Sequence, residues 1–307
     1  MNRVSTSGNY ATVLANLMQA QQTQMYYGAQ VSTQKKGTDL KTFSTTADTL
    51  TAMNTVKARL QSYQDQNSVV ADRLASQDQA LNQVTDAAQA VREAIANALA
   101  TGSAQTLNEE VSAQLQAAVE GMNARYNGKY LFSGGQVDTK PVTVTQMSDL
   151  NGAVPVSGFF HNDDYKLQNK LDDSTTITSG VLASDIGTDL LAAFQTLQNS
   201  PVGPFNGPLT QAQQTWLQGQ LASWDSVRQD LTSVTANNGL LQQRVDASKA
   251  DVAAQDTTLT SMLGDITDAD MGTAATQLQM SQMAVQAAAH VFQALQGASL
   301  LSILPAN

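Results

Sequence analysis

Residues 53–98 read MNTVKARLQSYQDQNSVVADRLASQDQALNQVTDAAQAVREAIANA, and this stretch decides the fold. Its apolar residues recur at alternating steps of three and four through more than six heptads, with only Asn67 and Gln77 polar along the line. This spacing is typical of a helix that packs along a coiled-coil seam. The stretch therefore predicts a single helix, roughly 70 Å long at ~1.5 Å per residue.

A second seam with the same spacing covers residues 224–266, but it is weaker because Asn238, Ser248 and Gln255 are polar. The pair Asn238-Gly239 has poor helix propensity, so we expect a bend or local weakness there. A third helix is predicted near residues 104–127. Three seams predict an antiparallel bundle. Its predicted core residues are Leu60, Leu74, Leu81, Val91, Leu231, Leu241, Val252 and Leu259.

Between these helices the pattern changes. Residues 142–145 alternate with period two, Asn151-Gly152 is a turn signal, and residues 175–178 favour a strand. We predict a small β-rich insertion that is peripheral to the bundle, because neither long seam passes through it. Residues 182–197 return to helical spacing. The predicted fold class is mostly α: a long antiparallel coiled-coil or helical bundle built from both ends of the chain, with a small inserted β-rich domain.

These patterns predict three domains. The first is a terminal-helix domain of residues 1–40 plus 270–307. The second is a helical bundle of residues 41–135 plus 181–269, and the third is the insertion, residues 136–180.

Both chain ends are strongly patterned but almost uncharged. No charged residue lies between Arg3 and Lys35, and none follows Asp270. The last helix is apolar on several faces, so it must be buried on several faces. Pairing of the two ends within one subunit is one way to bury them; packing against other copies of the chain is the other, and we favour it for the outer faces. The predicted subunit-interface residues are Val13, Leu17, Tyr27, Val31, Leu278, Met283, Val285, Phe292, Leu295 and Leu300.

Composition excludes several classes of function. The 307 residues carry a net charge of −10, which is the wrong sign for a nucleic-acid partner. The chain has no Cys and two His, so most thiolate, zinc and His-based sites are excluded. Glutamines in the last helix argue against a membrane span, and the first residues do not form a signal peptide.

Acidic residues give no convincing site. The group Asp265, Asp268 and Asp270 lacks the ligand spacing of a calcium loop, and we interpret it as a polar turn that complements the dipole of the last helix. The adjacent acids at 163–164 and 172–173 fit a solvated loop. We expect His161 and His290 to be surface or seam residues. No catalytic, cofactor-binding or metal residue is predicted.

Several local sequences resemble one family of bacterial flagellar proteins. Residues 127–134, NGKYLFSG, resemble the G-[RK]-Y-L-F-[SA]-G stretch of hook–filament junction proteins, the hook-associated protein 3 family, which are relatives of flagellin. Residues 1–6 resemble the start of that family, and residues 239–246 and 266–270 are similar to its G-x3-N-R-[LV]-[DE] and I-x-D-[AV]-D motifs. Residues 284–304 look like its polymerising C-terminal helix, and the Q-x-N-Q-x-P-Q ending of flagellin is absent.

The resemblance implies a non-enzymatic structural adaptor that joins hook to filament. It implies a homo-oligomer ring, contact with another hook-associated protein and with flagellin, and export through the flagellar apparatus with a chaperone, without a cleaved signal peptide. The location would be the extracellular flagellum. Three alternatives remain open from the residues: a flagellin filament subunit, a secreted coiled-coil tip or adhesin, and an enzyme housed in the insertion.

Overall fold

The computed structural model describes residues 3–301, with side chains described from residue 10 to residue 295. It has six α-helices and two small antiparallel hairpins in this range. The helices are α1 (Arg3–Thr33), α2 (Ala47–Thr101), α3 (Leu107–Met122), α4 (Ala183–Gln198), α5 (Gln211–Thr267) and α6 (Met271–Leu301). The strands are β1 (Arg125–Tyr126), β2 (Lys129–Tyr130), β3 (Gln168–Lys170) and β4 (Thr176–Thr178). Short 3-10 helices cover Leu40–Phe43, Met147–Asp149 and Val156–Phe159.

The fold class predicted from the sequence is confirmed: the chain is mostly helical, with one small β-containing insertion. The described residues form two compact units, one of Leu60–Ala254 and one made of the segments up to Arg59 and from Gln255 onward. Both α2 and α5 contribute residues to each unit. The three-domain division remains a prediction.

Within the unit Leu60–Ala254, α2 and α5 lie antiparallel. The guanidinium of Arg92 on α2 donates two hydrogen bonds to the Asp225 carboxylate on α5, at 2.9 and 3.4 Å. The rings of Phe194 on α4 and Trp224 meet edge to face with centroids 5.0 Å apart, and both are fully buried. Aromatic pairs favour this geometry. The core of this unit therefore lies between α2, α3, α4 and the first half of α5.

Most of the predicted core residues are buried. Six of them are at most 7% exposed, namely Leu60, Leu74, Leu81, Val91, Leu231 and Val252. Leu241 and Leu259 are half-buried. The expected weakness at Asn238-Gly239 does not interrupt α5, which is helical throughout this region.

The third helix is shorter than predicted and packs tightly on α2. A Cβ atom added to Gly121 would lie 2.8 Å from Val84 Cγ2 and 3.0 Å from the Ala80 carbonyl oxygen, so glycine permits this close approach. After α3 the chain turns at Asn127 and Gly128, whose φ angles are 50° and 79°. Positive φ at both positions is the requirement of a tight hairpin turn, which joins β1 to β2.

The second half of the NGKYLFSG stretch, from Tyr130 to Ser133, is part of the core, whereas the turn residues 127–129 are exposed. The guanidinium of Arg125 lies 4.1 Å from the centre of the Tyr130 ring, and Leu131, Phe132 and Ser133 are buried. The Phe132 carbonyl accepts a hydrogen bond from the Ala183 amide, which ties this stretch to the start of α4.

The insertion has less strand than predicted. Val142 and Val144 are buried while Thr143 and Thr145 are exposed, so burial follows the period-two pattern of the sequence. This segment has only a single bridge, from Val142 to Phe160, and does not form a strand. Residues 175–178 do contain a strand, β4, which pairs with β3.

The prediction that the insertion is peripheral is wrong. Leu171 and Ile177 of the β3–β4 hairpin are 0% and 2% exposed, in a cluster with Val70, Leu74 and Val245 from α2 and α5. The polar residues of the α2 seam bind this part of the chain by hydrogen bonds. Asn67 Nδ2 donates to the Leu171 carbonyl at 3.0 Å, and Gln77 Nε2 donates to the Ser179 carbonyl at 3.2 Å. The two breaks in the apolar seam are therefore the sites where the hairpin attaches.

Truncation of Leu171 tests this docking. Leu171→Ala should lower the free energy of unfolding by about 2–5 kcal/mol, because it leaves a cavity between three packed elements. The matched control is Leu240→Ala, at a leucine on α5 that is 57% exposed, for which a change within about 0.5 kcal/mol is expected. Urea unfolding followed by circular dichroism measures both. Equal effects of the two substitutions would show that the hairpin is not part of the core.

Candidate assembly interface

The two ends of the chain form a pair of antiparallel helices, α1 and α6. Neither contains proline, and their Ala- and Gln-rich sequences favour helix. The rings of Tyr10 and Phe292 meet edge to face with centroids 5.8 Å apart. Near the other end of the pair, a Cβ atom added to Gly28 would be 3.8 Å from Leu278 Cδ1. The early part of α1 thus faces the late part of α6.

The predicted interface residues lie mostly on the faces that these helices turn toward each other. Eight of them are half-buried within the subunit, namely Val13, Leu17, Tyr27, Val31, Leu278, Val285, Phe292 and Leu295. Met283 is 55% exposed. Leu300 lies outside the residues whose side chains are described. A role for these residues in contacts between subunits remains a prediction, because the structure holds one chain.

A different set of large apolar side chains is exposed on the same two helices. One of them, Met271 (39% exposed), begins α6 and lies seven residues before Leu278, so it belongs to the stripe of Leu278 and Val285. The others are Leu14 (47% exposed), Met18 (55%), Met25 (68%) and Tyr26 (52%) on α1, and Met280 (49%), Met283 (55%) and Val291 (49%) on α6. We call these seven residues the outward face. Soluble monomers rarely expose a row of large apolar residues without function.

The sequence contains a signal for the outward face on α1. Leu14, Met18 and Met25 are spaced by four and seven residues, so they form a helical stripe beside the stripe at Val13 and Leu17. Apolar residues also occur on several faces of α6 in the sequence. What it could not decide is which stripe packs inside the subunit and which is left exposed.

A short pairing of the two linkers closes the helix pair at one end. The backbone amide of Lys36 donates to the Thr267 carbonyl at 2.7 Å, and the Ala269 amide donates to the Gln34 carbonyl at 3.0 Å. The Lys36 ammonium donates to the carbonyls of Asp265 and Ile266, both at 2.9 Å, where a cation complements the negative end of the α5 dipole. The Lys35 ammonium forms an ion pair with Asp268.

The acidic turn before α6 has the structural role predicted for it. Asp270 accepts hydrogen bonds from the amides of Gly272 and Thr273, at 2.9 and 3.1 Å, and so caps the first turn of α6. The hydrogen bond from the Thr273 amide is the main cause that lowers the pKa of Asp270. The hydrogen bond from Lys35 is the main cause that lowers the pKa of Asp268.

Of the remaining acidic and His candidates, Asp163 and Asp172 have roles within their own loops. Asp163 accepts hydrogen bonds from the amides of Gly135 and Tyr165 and so orders its own loop. Slight burial raises the pKa of Asp172, but hydrogen bonds from Ser174 and Thr175 outweigh it and lower the pKa to about 2. His161 and His290 are both exposed, as expected.

The described residues contain neither a metal-binding cluster nor a helix that could span a membrane. Within residues 10–295, no three acidic or His side chains converge where they could hold a metal ion. No helix in the described part of the chain is both long and apolar enough to cross a membrane.

This architecture, with paired terminal helices and a helical bundle from both halves of the chain, defines a class of helical structural proteins. Residues 4–137 match the model of the bacterial flagellin N-terminal helical region, and residues 221–304 match that of the bacterial flagellin C-terminal helical region. Together the two matches cover more than two thirds of the chain. The chain belongs to the bacterial flagellin family, whose members are structural proteins of the flagellum.

Individual relatives point to hook-associated proteins within that family. The chain is 22% identical to flagellar hook-associated protein 3 of Escherichia coli (strain K12) over 319 residues, which cover 98% of this chain and 99% of that protein. Its fold is similar to that of a flagellar hook-associated protein from Vibrio parahaemolyticus, with a TM-score of 0.58, 14% identity, and coverage of 74% of this chain and 100% of that one. It is also similar to Bacillus cereus FlgL, with a TM-score of 0.57, 15% identity, and coverage of 69% and 99%.

The ion pair at the linkers predicts a pH dependence. The folded pKa of Asp268 lies below its ordinary value of about 3.9. The pair therefore stabilises the closed linkers fully above that value, and its contribution is lost as the pH falls through the lowered folded pKa. Carboxyl carbon NMR on the full chain should give an Asp268 titration midpoint below 3.9, and Lys35→Met should raise that midpoint toward 3.9.

Asp270 on the same turn is the internal control. Its pKa is lowered by hydrogen bonds from Thr273 and Gly272 rather than by Lys35. Its midpoint should stay low in the Lys35→Met variant. If the midpoint of Asp268 also stayed unchanged, Lys35 would not be its partner in solution.

Proposed function

We propose that this chain is the structural adaptor that joins the flagellar hook to the filament. In this proposal it assembles as a homo-oligomer ring through its terminal helices and contacts another hook-associated protein on one side and flagellin on the other. It reaches the extracellular flagellum through the flagellar export apparatus, with a chaperone and without a cleaved signal peptide. It works as a structural part and not as an enzyme.

The observation that carries the proposal is the outward face of α1 and α6. Seven large apolar side chains are exposed there, on helices that already pack against each other through their other faces. Full burial of one such side chain gains about 1.5–3 kcal/mol. The chain has a net charge of −10, yet this face is apolar. Such a face is suited to pack against apolar helices of neighbouring subunits.

The near absence of charge from the helix pair supports the same conclusion. Arg3 is the last charged residue before Lys35, and no charged residue follows Asp270. Repeated packing of identical helices would place like charges close together, and burying a charge without a partner is costly. Amides and alanines carry neither penalty. The composition of the ends is therefore suited to dense packing between copies.

The other functions considered from the sequence have less support. A flagellin subunit would share the helical ends, but the full-length similarity is to hook-associated protein 3. The order in which purified hooks bind this chain and flagellin separates the two. An enzyme in the insertion would need a reaction site, and the acidic residues at 163 and 172 are engaged in ordering their own loops.

Carboxylates placed on the outward face test the proposal. Leu14→Asp and Val291→Asp should leave the unfolding temperature of the monomer close to that of wild type, because both side chains are about half exposed. Each should abolish binding to purified hook ends, since an unpaired carboxylate in a dry contact costs several kcal/mol per subunit. Cells carrying either variant should shed unattached flagellin.

Matched controls lie in the other unit. Leu240→Asp and Val69→Asp make the same replacements at side chains that are 57% and 56% exposed, and both should bind hook ends normally. Leu74→Asp, at a fully buried core position, should unfold the monomer instead. Normal binding by Leu14→Asp and Val291→Asp would contradict the proposal.

A further inference from the structure

The exposed methionines of this chain are concentrated in one place. Nine methionine side chains are described by the structure, and six of them are exposed. All six belong to the unit that contains α1 and α6. Four of them, Met18, Met25, Met280 and Met283, make up more than half of the outward face. In the other unit Met122 is fully buried and Met147 is half-buried.

Methionine is the oxidisable member of the outward face. Its thioether sulfur attacks one oxygen of hydrogen peroxide, the O–O bond breaks, an S–O bond forms, and the second oxygen leaves as water after proton transfer. The sulfur loses two electrons and the peroxide gains them. The product, methionine sulfoxide, is polar and chiral, and it disrupts apolar interfaces. The aliphatic side chains of Leu14 and Val291 do not react with hydrogen peroxide in this way.

We propose that Met18, Met25, Met280 and Met283 form an oxidation site through which peroxide controls assembly of the free subunit. The inference rests on the proposed function of the outward face as a surface that packs between copies. Sulfoxides on this face place strong dipoles where a dry contact is needed, and a buried polar group without a hydrogen-bond partner is destabilising. The fold of the monomer does not depend on these positions, because their side chains are 49–68% exposed.

The exposure pattern also sets when the reaction takes place. In the free subunit the four sulfurs lie on an open face, whereas packing between copies covers them. Oxidation therefore acts on subunits before they assemble, and assembled rings are protected. Methionine sulfoxide is reduced enzymatically, so the modification is reversible.

The test treats the purified full-length chain with hydrogen peroxide and maps the products by peptide mass spectrometry. Met18, Met25, Met280 and Met283 should oxidise much faster than Met122. Oxidised protein should keep its helical circular dichroism but bind purified hook ends about tenfold or more weakly. Treatment with methionine sulfoxide reductases A and B should restore binding.

A quadruple variant with leucine at positions 18, 25, 280 and 283 isolates the site. It keeps apolar side chains of similar size but has no sulfur at these positions. The ratio of its hook-end affinity before and after peroxide treatment should therefore be close to one, whereas the same ratio for wild type should be about ten or more. Met262 and Met271 remain in this variant and are exposed, so they control for oxidation elsewhere in the same unit.

The outcomes separate this inference from the proposed function. If untreated wild type does not bind hook ends, the proposed function fails. If untreated protein binds and oxidised protein binds equally well, the oxidation site alone is overturned. It is also overturned if the quadruple variant stays sensitive to peroxide, or if oxidation unfolds the monomer.

Discussion

The register of α2 against α5 is the constraint on which the fold of the Leu60–Ala254 unit depends. Two buried asparagines contribute to it: Asn67 Nδ2 reaches Ser248 Oγ at 3.4 Å, and Asn238 Nδ2 donates to the Leu74 carbonyl at 3.0 Å. A polar residue at a seam position specifies register, because any shift leaves it buried without a partner. The same asparagine at position 67 holds the Leu171 carbonyl. One side chain thus connects the helix register with the placement of the hairpin.

Apolar burial is divided between the two units in different ways. In the unit Leu60–Ala254, the largest side chains, such as Trp224 and Phe132, are fully buried and the core is complete within one chain. The pair α1 and α6 has a half-buried seam and a row of exposed apolar side chains. The first arrangement suits a stable folded body, and the second suits a surface that is completed by other molecules.

Much of this could be predicted from the sequence because the 3-4 spacing is long and regular. The stretch 53–98 lies within α2, and 224–266 lies within α5. The docking of the hairpin could not be predicted, because Leu171 and Ile177 are isolated apolar residues in a polar stretch, and a local preference for strand at 175–178 does not reveal the partner of that strand. Asn67 and Gln77 interrupt the apolar seam in the sequence. The sequence does not show which carbonyl group accepts a hydrogen bond from each of them.

The exposed apolar side chains of α1 and α6 could be predicted only in part. Helices that are apolar on several sides offer more than one stripe, and periodicity cannot decide which stripe packs inside the subunit. The stripe with Leu17 and Leu278, for which the sequence predicts contacts between copies, is half-buried within the subunit, and its contacts between copies remain a prediction. The neighbouring stripe with Met18 and Met280 is the exposed one. Only the positions of both helices in the structure distinguish the half-buried stripe from the exposed one.

The central claim is that the outward face is covered when copies assemble, and cysteine accessibility measures this directly. The natural chain has no Cys, so Leu14→Cys provides a single thiol on the outward face and Leu240→Cys provides one in the other unit. Maleimide should label both monomers at similar rates, whereas after assembly on hook ends the labelling of position 14 should slow by about tenfold or more while position 240 stays reactive. Equal labelling of position 14 before and after assembly would contradict the claim.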